Sequence, residues 1–235
     1  MIDKIFKAVA NGSQPYPWQR ELASDGEPHS RLIRIPTGMG KTLGVLVTWL
    51  LHRVEERNRN WPTRLVWCLP MRTLVEQTES EAHKLLAELK LVDRVDVHVL
   101  MGGVEAKHWY DKPEKPAILI GTQDMLLSRA LNRGYAMGRA AWPRAFGLLN
   151  TDAFWVMDEV QLMGVGLATS AQLQAFNEQD RTEKETADKP RCTWWMSATL
   201  QPKWLESPET EALLPELTKG MLTVDPKDRS GPAKS

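Results

Sequence analysis

Short apolar runs alternate with longer stretches of helical periodicity along this chain. Six runs read as strands: Leu32–Ile35, Arg64–Leu69, Val95–Leu100, Ala117–Ile120, Ala153–Met157 and Thr193–Met196. Each is apolar nearly throughout, so both faces are expected to be covered, as in a parallel sheet. Between them Leu43–Glu56, Arg72–Leu89, Gln123–Leu131 and Gly166–Asn177 read as helices. The alternation predicts βαβ units, hence an α/β fold with a parallel sheet flanked by helices. Three polar stretches, Asn58–Thr63, Asp111–Lys115 and Glu178–Lys189, read as loops. Residues 1–13 read as a helical lead-in. The stretch from Thr223 to Ser235 is rich in Pro, Gly, Lys and Ser, and reads as a linker or frayed end. That leaves 14–222 as the main domain.

Ligands of such sheets bind beyond the carboxyl ends of the strands. Three strand ends carry groups suited to that. After the first, Ile35-Pro36-Thr37-Gly38-Met39-Gly40-Lys41-Thr42 leads into a helix. Strand, glycine-bearing turn with Lys-Thr, then helix is the recipe for a phosphate cradle: backbone N–H groups close on phosphate oxygens. Lys41 faces the β and γ phosphates, and the Thr42 hydroxyl can reach Mg²⁺. The strict form of the loop has a Gly where Ile35 stands here. After the fifth strand comes Asp158-Glu159-Val160-Gln161. A carboxylate there can hold Mg²⁺, and the next can orient or activate an attacking water. After the sixth comes Ser197-Ala198-Thr199, whose hydroxyls are expected to bond the acidic pair. Taken singly, an Asp-Glu pair is an ordinary helix start and a Ser-x-Thr an ordinary turn. Their order along the chain lifts both above that.

Composition narrows the classes. The chain has 235 residues and zero formal net charge, so nucleic-acid contact must come from local groups. No apolar run is long enough to cross a bilayer, and Met1-Ile2-Asp3-Lys4 lacks a leader's apolar region. Cys68 and Cys192 read as reduced structural thiols, and a cytoplasmic protein without a membrane partner is expected. Of ten tryptophans, Trp67, Trp155, Trp194 and Trp195 fall in strand runs and are expected in the core. His52 and Glu55 share a helix face and read as a solvated pair.

The order Gly38-Met39-Gly40-Lys41-Thr42, Asp158-Glu159-Val160-Gln161, Ser197-Ala198-Thr199 resembles motifs I, II and III of the first RecA-like lobe of superfamily 2 (DEAD/DEAH-like) helicases. The resemblance runs from about Gln14 to about Leu200. It implies a P-loop NTPase lobe using ATP and Mg²⁺. Lys41, Asp158, Glu159 and Gln161 are then catalytic. Thr37, Gly38, Met39, Gly40, Lys41 and Thr42 hold the nucleotide, and Thr42 and Asp158 hold its Mg²⁺. Ser197 and Thr199 couple nucleotide state to the strand. Tyr16-Pro17-Trp18-Gln19 resembles the upstream glutamine motif, so Gln19 would read the adenine edge with an aromatic neighbour packed on the base. Leu69-Pro70-Met71-Arg72-Thr73-Leu74, Gly102-Gly103 and Gly121-Thr122-Gln123-Asp124 resemble the strand-binding motifs. They put Arg72, Thr73, Gly102, Gly103, Thr122 and Gln123 on the nucleic acid. More narrowly, the segments 131–137, 142–150 and 155–163 resemble the helicase of type I CRISPR systems. This implies single-stranded DNA as substrate and a CRISPR surveillance complex as recruiting partner.

The chain departs from the family in two ways. Residues 200–235 leave no room for a second RecA-like lobe with its arginine fingers. Neither His29, His52, His83, His98 nor His108 is followed by Asp, as the metal nuclease that accompanies the CRISPR helicase requires. Both the second lobe and the nuclease are expected on a separate chain or downstream frame. Arg129, Arg133, Arg139 and Arg144 interleave with Tyr135, Trp142 and Phe146. That pattern suits single-strand contact and, equally, a solvated connector whose aromatics pack on the lobe. Two further classes stay open: another kind of P-loop NTPase, and a nucleotide-gated binding module without turnover of its own.

Overall fold

A computed structural model describes residues 2–10, 12–102, 109–135, 137–184 and 191–224. Its strands are β1 Arg31–Arg34, β2 Arg64–Leu69, β3 Asp96–Leu100, β4 Ala117–Thr122, β5 Ala153–Asp158, β6 Cys192–Ser197 and β7 Leu222–Thr223. They form one seven-stranded sheet in the order β3-β4-β2-β5-β6-β1-β7, every pair parallel. The central strands β2, β4, β5 and β6 are buried along their whole length. That is why they carry no polar alternation.

The helices are α1 Ile2–Val9, α2 Pro17–Ser24, α3 Lys41–Trp49, α4 Arg72–Glu88, α5 Gln123–Ala130, α6 Trp142–Asn150, α7 Val165–Lys184 and α8 Leu214–Lys219. The first four cover one face of the sheet, with Phe6, Trp18, Leu46 and Val75 in its core. The last four cover the other, with Met125, Ala145, Leu167 and Leu217. Trp67, Trp155, Trp194 and Trp195 are buried as expected. Phe154 and Trp194 meet edge to face at 4.6 Å. Cys68 and Cys192 are buried and unbridged, and burial pushes both thiols up.

Four elements differ from the sequence reading. The segment from Glu178, read as a loop, continues α7 to Lys184. Charged residues suit the solvent side of a long helix, so charge alone did not mark an end. The arginine-rich connector contains α6, started by Pro143 in its first turn. Thr223, read as the start of the tail, pairs in β7 beside Arg34. The helix after the phosphate loop widens into a π-helix over Leu50–Glu55. The wider turn rotates residue i+3 away from residue i. His52 is therefore buried on Trp61, with ring centroids 4.7 Å apart, and its Nδ1 lies 2.8 Å from Glu56. Glu55 pairs with Arg94 at 2.7 Å instead.

Candidate active site

Parallel pairing puts every strand's carboxyl end on one edge. β6 lies between β5 and β1, with Arg34 opposite Ser197 and Asp158 opposite Met196. The phosphate loop, the acidic pair and Ser197 therefore meet on three adjacent strands. The Ile35 N–H donates to the Ser197 carbonyl at 3.2 Å, which starts the loop from β6's end. Gly38 and Gly40 then take φ of 82° and 69°, conformations that cost L-residues with a side chain. Gly40 caps α3, so the helix's free N–H groups open toward the hollow above it. Thr37, Gly38, Gly40, Lys41, Thr42, Asp158 and Glu159 line that hollow, which holds about 590 Å³. Met39, expected to hold the nucleotide, is buried in the core and does not line the hollow.

Lys41 reaches back across β6. Its Nζ donates to the Ile35 carbonyl at 3.3 Å and to Glu159 Oε1 at 3.4 Å. Glu159 Oε2 accepts from the exposed Gln161 amide at 2.6 Å. Glu159 itself holds φ 54° and ψ 45°, a left-handed conformation of order 1–3 kcal/mol above the ordinary wells. This backbone turn leaves its carboxylate aimed at the loop, and nothing in its sequence position announced it. Asp158 lies deeper, and Oδ1 accepts the Glu159 N–H at 2.9 Å. Burial pushes its carboxyl up to about 6, an effect that Lys41 partly offsets and the Glu159 charge reinforces. Among the described residues no group of three His, Cys, Asp or Glu side chains gathers to hold a metal. A cation here would draw its remaining oxygens from phosphate and water, as Mg²⁺ commonly does. The half-buried Thr42 and the charge-starved Asp158 fit it.

The other expected residues fall in three groups. Ser197 Oγ accepts the Thr199 N–H at 3.1 Å and lies 3.4 Å from Thr199 Oγ1. The expected bond from these hydroxyls to the acidic pair is not made among the described residues, because the turn closes on itself. Gln19 is buried, with Oε1 taken by the Tyr16 N–H at 2.9 Å and Nε2 donating to the Gly40 carbonyl at 3.0 Å. It ties α2 to the phosphate loop, and its amide has one lone pair and one N–H beyond these two bonds. Trp18 is not free to pack on a base: it is buried against Gly44, where a Cβ would fall 2.6 Å from its ring. The half-buried Tyr16 is the aromatic left for that role. Arg20 binds Asp3 at 2.9 Å and Gln14 at 2.8 Å, clamping α1 onto α2, a tie no motif marked.

On the strand side, Arg72 and Thr73 stand exposed at the start of α4, and Thr122 and Gln123 begin α5. Gly102 follows β3 in a half-buried turn, and Gly103 lies outside the described residues. The connector arginines divide. Arg129 is buried, its Nη1 on the Met125 carbonyl at 2.9 Å, so it does not face a strand. Arg144 lies over the Tyr110 ring and pairs with Asp111 at 3.6 Å. Trp142 donates to the Met137 carbonyl at 3.0 Å. Arg133, Arg139 and Tyr135 remain exposed. A larger hollow of about 780 Å³ lies at the opposite edge beside His29, Glu178 and Glu216, without a phosphate cradle.

Known proteins resemble this chain in sequence and fold. A mitochondrial ATP-dependent RNA helicase of Candida albicans, MSS116, is 34% identical over 94 residues, which are 40% of this chain and 13% of that protein. The structure of Mss116p bound to single-stranded RNA and AMP-PNP superposes with a TM-score of 0.58 at 21% identity, covering 94% of this chain and 41% of that one. The helicase MrfA bound to DNA and AMPPNP gives 0.62 at 20% identity, covering 95% and 29%. The chain thus spans less than half the length of each of these proteins. A profile of the DEAD/DEAH box helicase family matches residues 16–207, from the residue that caps α2 to the turn beyond β6, and the chain belongs to that family.

Proposed function

We propose that the chain is the ATP-binding lobe of an ATP-dependent nucleic-acid helicase or translocase. One observation carries this: Lys41 of the phosphate loop and Glu159 of the acidic pair meet at 3.4 Å above the buried Asp158. The α3 N-terminus and Lys41 hold the phosphates of ATP, and Thr42 and Asp158 hold Mg²⁺. The metal, when bound, would supply positive charge to offset that of the phosphates. Arrival of phosphate draws Lys41 from Glu159 and frees a carboxylate oxygen to take a proton from water, with Gln161 holding the other oxygen. Transition-state charge also calls for arginines from a second lobe, worth about 10³–10⁵ in rate in related NTPases. The chain alone should therefore bind Mg²⁺–ATP and turn it over very slowly.

Nucleic acid is proposed to cross the carboxyl edge over Arg72, Thr73, Gly102, Thr122 and Gln123. The sequence segments 131–137, 142–150 and 155–163 favour single-stranded DNA and service as the helicase of a type I CRISPR system, in the cytoplasm, recruited by its surveillance complex. The test is hydrolysis of Mg²⁺–ATP with and without single-stranded DNA and RNA, by the chain alone and with a second RecA-like lobe supplied. Strand-dependent turnover only with the second lobe is expected. Robust turnover by the chain alone would refute the one-lobe assignment, and absence of nucleotide binding would refute the whole. Capture of the chain by a DNA-bound surveillance complex tests the narrower role.

A further inference from the structure

Three exposed large side chains gather beside α5. Tyr135 is 63% exposed, Leu131 47% and Val165 86%. All three line a groove of about 540 Å³ between α5 and the first turns of α7. The groove opens where β4 ends at Thr122. Its walls add Leu127, Gln123 and Asp124 and include no cation. Phosphate would find no positive partner inside it. The positive groups stand outside: Arg133 and Arg139 are exposed in the adjoining connector, without a carboxylate partner among the described residues. This separation matches a single strand, whose charge is on the backbone and whose bases are flat and uncharged.

Granted the nucleic-acid function proposed above, on which this inference rests, we infer that the groove is a base pocket. One unpaired nucleobase leaves the strand beside Thr122 and stacks on Tyr135, while its phosphates stay with Arg133 and Arg139. The Tyr135 N–H donates to Ser128 Oγ at 3.3 Å, which holds the tyrosine against α5. Two acceptors stand at the groove. Asp124 is an exposed carboxylate, and Gln123 Oε1 is shut in against Gly166 with no donor. Turning that amide outward to an exocyclic amino group satisfies an acceptor that is otherwise unpaired. Cytosine and adenine carry such a group, and thymine does not.

The test is fluorescence anisotropy of the full chain with two labelled strands of equal length, one of deoxycytidine and one of abasic residues. A single stacked base should favour the deoxycytidine strand by about 5- to 150-fold. Tyr135→Ala should abolish that preference and leave affinity for the abasic strand unchanged, and Tyr135→Phe should retain it. Equal affinity of the wild type for both strands, a preference that survives Tyr135→Ala, or its loss in Tyr135→Phe overturns the pocket and leaves the backbone track standing. Failure to bind either strand overturns both.

Discussion

Replacing Asp158 with Asn should make the nucleotide-free protein more stable while removing its hold on magnesium. Burial lifts this carboxyl from an ordinary 3.8 to about 6. At about 1.36 kcal/mol per pH unit, the ionised group costs the fold about 3 kcal/mol at neutral pH. Because the folded value is raised, the cost is complete above about pH 6. It shrinks as pH falls through 6 toward 3.8 and is absent below that. Asn keeps an oxygen for the Glu159 N–H, now 2.9 Å from Asp158, so that donor stays paired. A gain of about 1–3 kcal/mol is expected at about pH 7.5, falling to near zero below about pH 4. Urea unfolding of both proteins at the two pH values reads it directly. In the same variant, Mg²⁺–ATP should no longer raise the melting temperature as it does in the wild type. An Asn variant less stable at pH 7.5, or equally stabilised at both pH values, would refute the idea that a desolvated charge is held in reserve for the cation.

Other outcomes follow from the same geometry. Mg²⁺–ATP affinity, followed by calorimetric titration, should weaken as pH drops below about 6, because protonated Asp158 cannot serve the cation. Lys41→Ala should weaken nucleotide binding, whereas Glu159→Gln should leave it nearly intact and suppress hydrolysis once a second lobe is supplied; equal loss of affinity in both would show the roles misassigned. Gln19→Ala should blur the choice of ATP over GTP and also weaken tripolyphosphate, since Gln19 holds the Gly40 carbonyl of the phosphate loop; unchanged tripolyphosphate affinity would leave that bond without consequence. Arg72→Ala should weaken all single strands alike and reduce the salt slope by about one, and a slope equal to wild type would take Arg72 off the track.

Much of the candidate site was legible along the chain because its motifs are local. A buried parallel strand must be apolar throughout, and its polar punctuation marks where it ends. Lys41, Asp158 and Ser197 could therefore be placed at strand ends before any strand was paired. Arg72 and Gln123 were legible for the same reason, as first residues of helices after strands. What periodicity could not express is which strands become neighbours. β6 is nearly last in the chain yet lies between β5 and β1, and only that order lets Lys41 reach Glu159 across it. The Gln19–Gly40 bond, the burial of Trp18 on Gly44, and the clamp of Arg20 on Asp3 likewise join segments that share no local pattern. The connector shows the limit most plainly. Arg129 and Arg133 are four residues apart and chemically identical, yet one lies within α5, buried on the Met125 carbonyl, and the other lies beyond its end and faces solvent. Residue type determined that both carry charge; the packing of α5 against its neighbours decided which of them a nucleic acid could meet.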